Sequence, residues 1–268
     1  MKSLNYRSLV VTILILIYII TFGILATRQH FAYETSALDL GNYDQAMWNA
    51  AHGRGLALTT LPKISLNRMG LHVEPILFLL VPLYWIAPNP ITLLWLQTVA
   101  LGLAAIPLFL IARRKLQSEW SAVAIVLAYL LLPATESVNL FDFHAVALAP
   151  FFILWGWYFL EADHTTCHSP FQGRGWGGVY ALISFILAMS CKEDISLLIF
   201  MVGLYVALWQ KRYSMGILLA VMGLAWAYIA FEIVLPSYRI GGEESAYIKY
   251  FPTLGNTPLE KQGCPFLF

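Results

Sequence analysis

Ser8 to Ala26 reads SLVVTILILIYIITFGILA, nineteen residues without one charged side chain. That length matches the ~20 apolar residues a helix needs to cross the hydrocarbon core of a bilayer. It exceeds the ~7–15-residue core of a cleavable signal peptide. Lys2 and Arg7 precede it and no small-residue cleavage site follows, so it reads as an uncleaved signal-anchor helix. Further apolar runs lie near residues 75–88, 90–112, 119–135, 145–161, 177–191, 194–210 and 214–235, with the charges gathered in short breaks between them. Of 268 residues, 59% are hydrophobic and 12% charged, against roughly 45–50% and 25% in an ordinary globular domain. A soluble fold is excluded, and the expected class is all-α, a polytopic transmembrane helix bundle forming one domain over 1–268.

A net charge of +1 and the lack of a basic stripe with interleaved aromatics argue against nucleic-acid binding. Cys167, Cys191 and Cys264 form no CxxC pair or even framework, so neither a zinc site nor a disulfide scaffold is indicated. The closing Gly263-Cys264-Pro265-Phe266-Leu267-Phe268 caps nothing, and a C-terminal truncation is expected.

The run at 75–88 decides the topology. It is short, starts at Pro75 and contains Pro82; runs of ~10–14 apolar residues are more often interfacial or re-entrant than spanning. If it crosses, Arg113, Arg114, Lys115, Arg174, Lys211 and Arg212 all fall outside, which inverts the positive-inside rule. If it lies in the outer interface, all six join Lys2 and Arg7 in the cytoplasm, and Lys192 alone stays in a short outer loop. The second arrangement gives about seven crossings plus one interfacial or re-entrant helix, a cytoplasmic N-terminus and a long outer loop at 27–90. Asp39, Asp44, His72, Glu74, Glu136, Asp142, His144, Lys192, Glu193 and Asp194 then share the outer face. Glu119, Glu161, Asp163, His164 and His168 stay inside with the basic clusters. Such one-sided sorting points to a site facing outward.

Within the long loop, Leu40, Tyr43, Met47 and Ala50 recur at helical spacing while Asn42, Gln45 and Asn49 take another face, the pattern of an amphipathic helix in the interface. Asp39 stands where an N-cap would stand and reads equally as a cap or as a functional acid. Asp44 reads as part of the solvated face or as a second acid. His72-Val73-Glu74-Pro75 could reach a cation or phosphate, or simply open a helix with Pro at its first position. Phe141-Asp142-Phe143-His144 sets an acid and a histidine between aromatics at a membrane boundary. There such groups are costly unless paired or functional, or they belong to an aromatic belt. Cys191-Lys192-Glu193-Asp194 places three charges between two apolar runs with almost no loop, either as a snorkelling turn or as part of the site. Glu232, near the end of the last run, is given no role.

The order DLGNYDQAMWN, HVEP, LLVPLYWIAPNP, LLWLQ with IARRK, LFDFHAVALAP, CKEDISL and YFPTLGNTPLE resembles the bacterial membrane proteins of domain-of-unknown-function family 2079, over nearly the whole chain to about Lys261. The layout is also similar, more distantly, to the GT-C glycosyltransferases, which use polyprenyl-phosphate-linked sugars. That resemblance implies a catalytic acid at Asp39 and a binding tyrosine at Tyr43, with Leu40 where a second acid would stand. It matches the segment His72 to Pro75 and the second-loop acid Asp142. It further implies a bacterial plasma-membrane enzyme, GT-C-like in fold. The enzyme would move sugar by inverting transfer from a polyprenyl phosphate to an acceptor at the outer face. In this reading Asp39 is the general base. Asp142 and Asp44 shape the site or hold a divalent cation if one is used, and Lys192, Arg68 and His72 neutralise the phosphate. Glu74, His144, Glu193 and Asp194 complete the binding set. The rival readings are a lipid or small-solute transporter, and a non-catalytic membrane protein. Transporters usually hold their charges near the midplane in repeated, broken helices, whereas these gather at one boundary.

Overall fold

A computed structural model describes residues 6–162 and 176–240. Lys2, the inner-loop residues Asp163, His164, Cys167, His168 and Arg174, Cys264 and the expected truncation lie outside the described residues. Helices α1 (Tyr6–Phe31), α2 (Leu40–Ala51), α3 (Ile76–Ile86), α4 (Pro90–Leu103), α5 (Ala105–Leu116) and α6 (Glu119–Leu130) are followed by α7 (Pro133–Leu140), α8 (Ala149–Ala162), α9 (Trp176–Met189), α10 (Ile195–Leu208), α11 (Tyr213–Tyr228) and α12 (Leu235–Tyr238). The described residues hold no strand, only two isolated bridges. The all-α expectation therefore stands.

Among the described residues three rods are long and apolar enough to cross a membrane: Tyr6–Phe31, Pro90–Leu116 and Tyr213–Tyr238. A fourth forms if α6 and α7, bent by 43°, count together. The bend falls where Leu131 and Leu132 precede Pro133, since a residue before proline is driven out of the helical region. Asn89 starts the second rod by accepting a hydrogen bond from the Ile91 amide at 2.8 Å, with Pro90 behind it at the first helical position. Helices α8, α9 and α10 have 14 residues each and are too short for that length criterion. Helix α3 has 11; at ~1.5 Å per residue it reaches about 16 Å, roughly half of a ~30 Å hydrocarbon core.

These helices are inside out by the standard of a soluble bundle. Only 17% of the most apolar stretch of Tyr213–Tyr238 is buried, and Ile13, Ile17, Ile20, Leu198, Met201, Ile217 and Val221 lie exposed on the outside. Large apolar side chains facing outward along rods of membrane length are what a lipid solvent requires. Between helices the contact is made by small residues. A side chain on Gly203 would strike the backbone of Ala220, and one on Gly216 the backbone of Ala207. Gly203 and Ala207 on α10 thus mesh with Gly216 and Ala220 on α11, the small-xxx-small packing by which membrane helices approach closely.

Polar contacts collect at the two ends. At one, Arg7 pairs with Glu119 at 2.5 Å, Lys115 with Glu161 at 2.8 Å, and Arg212 donates to the Leu160 carbonyl at 2.7 Å. At the other meet the start of α2, the loop before α3, the turns after α7 and α9, and the C-terminus of α12.

Helix α2 forms where the apolar spacing placed it, but it does not lie open in the interface. Its polar face is turned onto the following loop. Asn42 Nδ2 donates to Thr60 Oγ1 at 3.0 Å, Gln45 Nε2 to Thr59 Oγ1 at 2.8 Å and Asn49 Nδ2 to the Ala57 carbonyl at 2.9 Å. Asn42 and Asn49 are consequently buried, and the face expected to meet headgroups meets protein.

Candidate functional site

At the second end a cavity of about 470 Å³ opens between α2, the loop at 61–72, the turn after α7 and the end of α12. Its lining includes Ser36, Asp39, Asn42, Arg68, His72, His144 and Arg239, a size and polarity within the usual range for small-ligand sites. Among the described residues Asp39 is its one carboxylate; Arg68, Arg239 and the two histidines share the lining.

Asp39 directly precedes α2, yet its side chain makes no cap hydrogen bond. Ser36 does part of that work, its Oγ accepting from the Leu38 and Asp39 amides at 3.1 and 3.3 Å. Asp142 does the rest from across the fold. Its Oδ2 accepts from the Ser36 amide at 2.7 Å and its carboxylate also bonds the Leu40 backbone. Burial pushes the Asp142 carboxyl up, against the pull of the Ser36 amide. The two acids have therefore exchanged parts: Asp142 fastens the helix start, and the Asp39 carboxylate is left to the cavity. The Asp142 carbonyl can only accept, so the His144 Nδ1 at 2.9 Å carries the proton there. The other ring nitrogen then faces the Asp39 carboxylate at 3.8 Å.

Behind the cavity wall lies a buried charge cluster. Arg68 Nε donates to Glu74 Oε2 at 2.8 Å and Nη1 to Asn42 Oδ1 at 3.3 Å, while the guanidinium lies 3.7 Å from the Tyr43 ring centroid. The Tyr43 hydroxyl donates to Glu74 Oε1 at 2.6 Å. Burial and then the Glu74 carboxylate hold this phenol well above its usual range, so it remains a donor. Phe143 packs edge-on against the same ring at 4.9 Å. Tyr43 and Glu74 thus carry the wall and do not line the cavity.

A second buried acid holds the neighbouring histidine. His72 Nδ1 donates to Glu193 Oε1 at 2.9 Å, and the Val73 amide donates to Oε2 at the same distance. Burial alone would raise the Glu193 carboxyl, but the hydrogen bond and charge of His72 outweigh it and leave it below its usual value.

The expected residues accordingly fall into three groups. Asp39, Arg68, His72 and His144 line the cavity; Tyr43, Glu74, Asp142 and Glu193 are buried behind it. Asp44, Lys192 and Asp194 are not brought to it. Asp44 accepts from the Tyr84 hydroxyl at 2.5 Å on the α3 side of α2, and Lys192 pairs with Asp194 at 3.3 Å in the turn after α9. Among the described residues no group of three or more His, Cys, Asp or Glu is placed to hold a metal ion.

Arg239 and Asn42 were missed. Asn42 had been placed on the polar face of α2; Arg239 had no signal, because only folding brings it across 169 positions to the Gly70 carbonyl, where its Nε donates at 3.1 Å.

A family model described as predicted membrane protein (DUF2079) matches residues 29–261. The chain belongs to this family. DUF2079 membership covers every element that builds the cavity, from Ser36 to Arg239, and makes the chain a membrane protein as its exterior already required. No curated protein and no solved structure matches this DUF2079 chain.

Proposed function

We propose that this DUF2079 protein is a membrane-embedded glycosyltransferase of GT-C-like design. It would take sugar from a polyprenyl-phosphate donor in the plasma membrane and pass it to an acceptor hydroxyl at the outer face. The observation that carries the reading is the Asp39 carboxylate, relieved of capping and set in a cavity lined, among the described residues, by two arginines and two histidines. In the reaction the acceptor oxygen attacks the anomeric carbon and gives its proton to Asp39, work suited to a positioned carboxylate. The bond from that carbon to the phosphate breaks, and Arg68 and His72 receive the charge that develops on the leaving group. His144 orients Asp39. Lys192 and Asp194 belong to the supporting turn.

Seven crossings follow in this reading from α1, α4–α5, α6–α7, α8, α9, α10 and α11–α12, each running between the cavity end and the basic end. The basic end, with Arg7, Arg113, Arg114, Lys115 and Arg212, is assigned to the cytoplasm. An apolar pocket of about 370 Å³ between Pro75, Met189, Met222 and Trp226 adjoins the His72 segment. It offers a lipid chain a place beside the polar cavity.

The test is Asp39→Asn, assayed for sugar transfer from polyprenyl-phosphate donors. With no cap to lose, the variant should insert and melt like the wild type. Loss of a general base should lower the rate ~10²–10⁴-fold. Retention of most activity by Asp39→Asn would remove the acid from the mechanism, and a wild-type protein inactive with every such donor would return the cavity to a transport role.

A further inference from the structure

We infer that Arg239, His72 and the buried Arg68 form one wall of the cavity that binds a tetrahedral phosphoester anion. Arg239 is the contributor that nothing in the local sequence announces. This rests on the transferase reading only for the class of ligand.

Arg68 is buried, spends at least three of its five N–H groups on Glu74 and Asn42, and forms part of the cavity lining. The one side-chain hydrogen bond of Arg239 among the described residues runs from Nε to the Gly70 carbonyl, so both Nη groups remain available on the same lining. Its delivery is built in. Ser65 Oγ donates to the Tyr238 carbonyl at 2.6 Å, and the Ile240 amide to the Ile64 carbonyl at 3.0 Å. A Cβ on Gly70 would lie 2.8 Å from the Tyr238 carbonyl oxygen, so only glycine lets the loop close on the end of α12. Two guanidiniums forked toward one cavity suit the oxygens of a phosphate. His72, tied by Nδ1 to Glu193, adds a third donor. The charged groups around it are Glu193 from the turn after α9, Arg68 and Glu74 from its own segment, Asp39 and His144 across the cavity, and Arg239 just after α12.

The probe is sulfate, whose charge is constant between pH 5.5 and 8.5, titrated into the purified full chain in detergent alongside inorganic phosphate and a polyprenyl phosphate. Arg239→Gln should weaken sulfate binding about tenfold or more; Arg239→Lys, which keeps the charge without the fork, should fall between. His72→Gln, which removes the third donor, should also weaken sulfate binding, by less than Arg239→Gln. Tighter binding of the polyprenyl phosphate than of inorganic phosphate identifies a lipid source, and equal binding a free phosphate group. No sulfate binding by the wild type, or unchanged binding in a folded Arg239→Gln, would overturn the inference. Sulfate binding as expected without sugar transfer would instead sink the transferase reading alone.

Discussion

The two ends of the bundle use the same residue types in opposite ways. At the basic end the pairs sit at the boundary with water: Lys115 is 62% exposed, and Arg7 and Arg113 share Glu119. At the cavity end the charges are inside. Arg68 and Glu74 are 6% and 2% exposed, and Glu193 is 3% exposed. Removing a charge from water costs several kcal/mol unless partners compensate, and each of these acids is met by two or more donors. The basic end can lose a pair and rehydrate. The cavity end cannot, which identifies the cavity as the place where charge is held against a cost.

The contrast breaks most visibly at Glu74. Glu74→Ala leaves Arg68 buried without its carboxylate and also strips the Tyr43 hydroxyl of its acceptor. Deleting one partner of a buried pair costs about 3–5 kcal/mol, so a large fall in melting temperature in detergent is expected. Arg68→Met combined with Glu74→Leu should recover much of it, because an apolar pair of similar volume is often tolerated. A double variant as unstable as Glu74→Ala would place the cost in lost packing and not in the stranded charge.

Glu193 sharpens the comparison through pH. Its folded pKa lies below the unfolded one, so its stabilising contribution is complete above the ordinary glutamate value of ~4.3. The contribution fades as pH falls through the lower folded value. At pH 6 Glu193→Gln should cost about 1.5–3 kcal/mol, the usual worth of hydrogen bonds to a charged group. The wild-type and variant melting curves should converge on acidification below about pH 4. Parallel curves from pH 6 to 3.5 would mean that the carboxylate is not ionised in its clasp.

What could be read in advance divides along the same line. The helices were legible because lipid imposes long uncharged runs, and both the shortness of α3 and the polar end of the bundle followed from where those runs stop. Asp39 was legible as a choice between cap and acid, and only the fold decides it, because the residue that relieves it, Asp142, lies 103 positions away. The polar face of α2 was read as facing headgroups because Asn42, Gln45 and Asn49 look the same whether they meet water or Thr59 and Thr60. Asp44 was grouped with Asp39 by proximity in sequence, yet it sits more than a turn further along and points to Tyr84. Arg239 required the chain to close on itself through Ser65 and Gly70, and closure of that range leaves no spacing to read.

The smallest effect belongs to the exposed end. Lys115 Nζ stands 2.8 Å from Glu161 Oε1, with the lysine mostly in water and the acid only 14% exposed. The single variants Lys115→Ala and Glu161→Ala will not be equal, since Glu161 also loses packing that Lys115 does not have. A double-mutant cycle isolates the pair, and exposed pairs of this kind couple by ~0.2–1 kcal/mol. Salt then separates the two ends. Raising ionic strength toward 1 M shortens the screening length to ~3 Å, so the Lys115–Glu161 coupling should shrink toward zero in thermal unfolding measured in detergent. The same cycle on Arg68 and Glu74, run in a salt free of sulfate and phosphate, should keep most of its value, because both side chains are almost wholly buried. If added salt weakens both couplings alike, the cavity end is wet, and the separation of the two ends by burial fails.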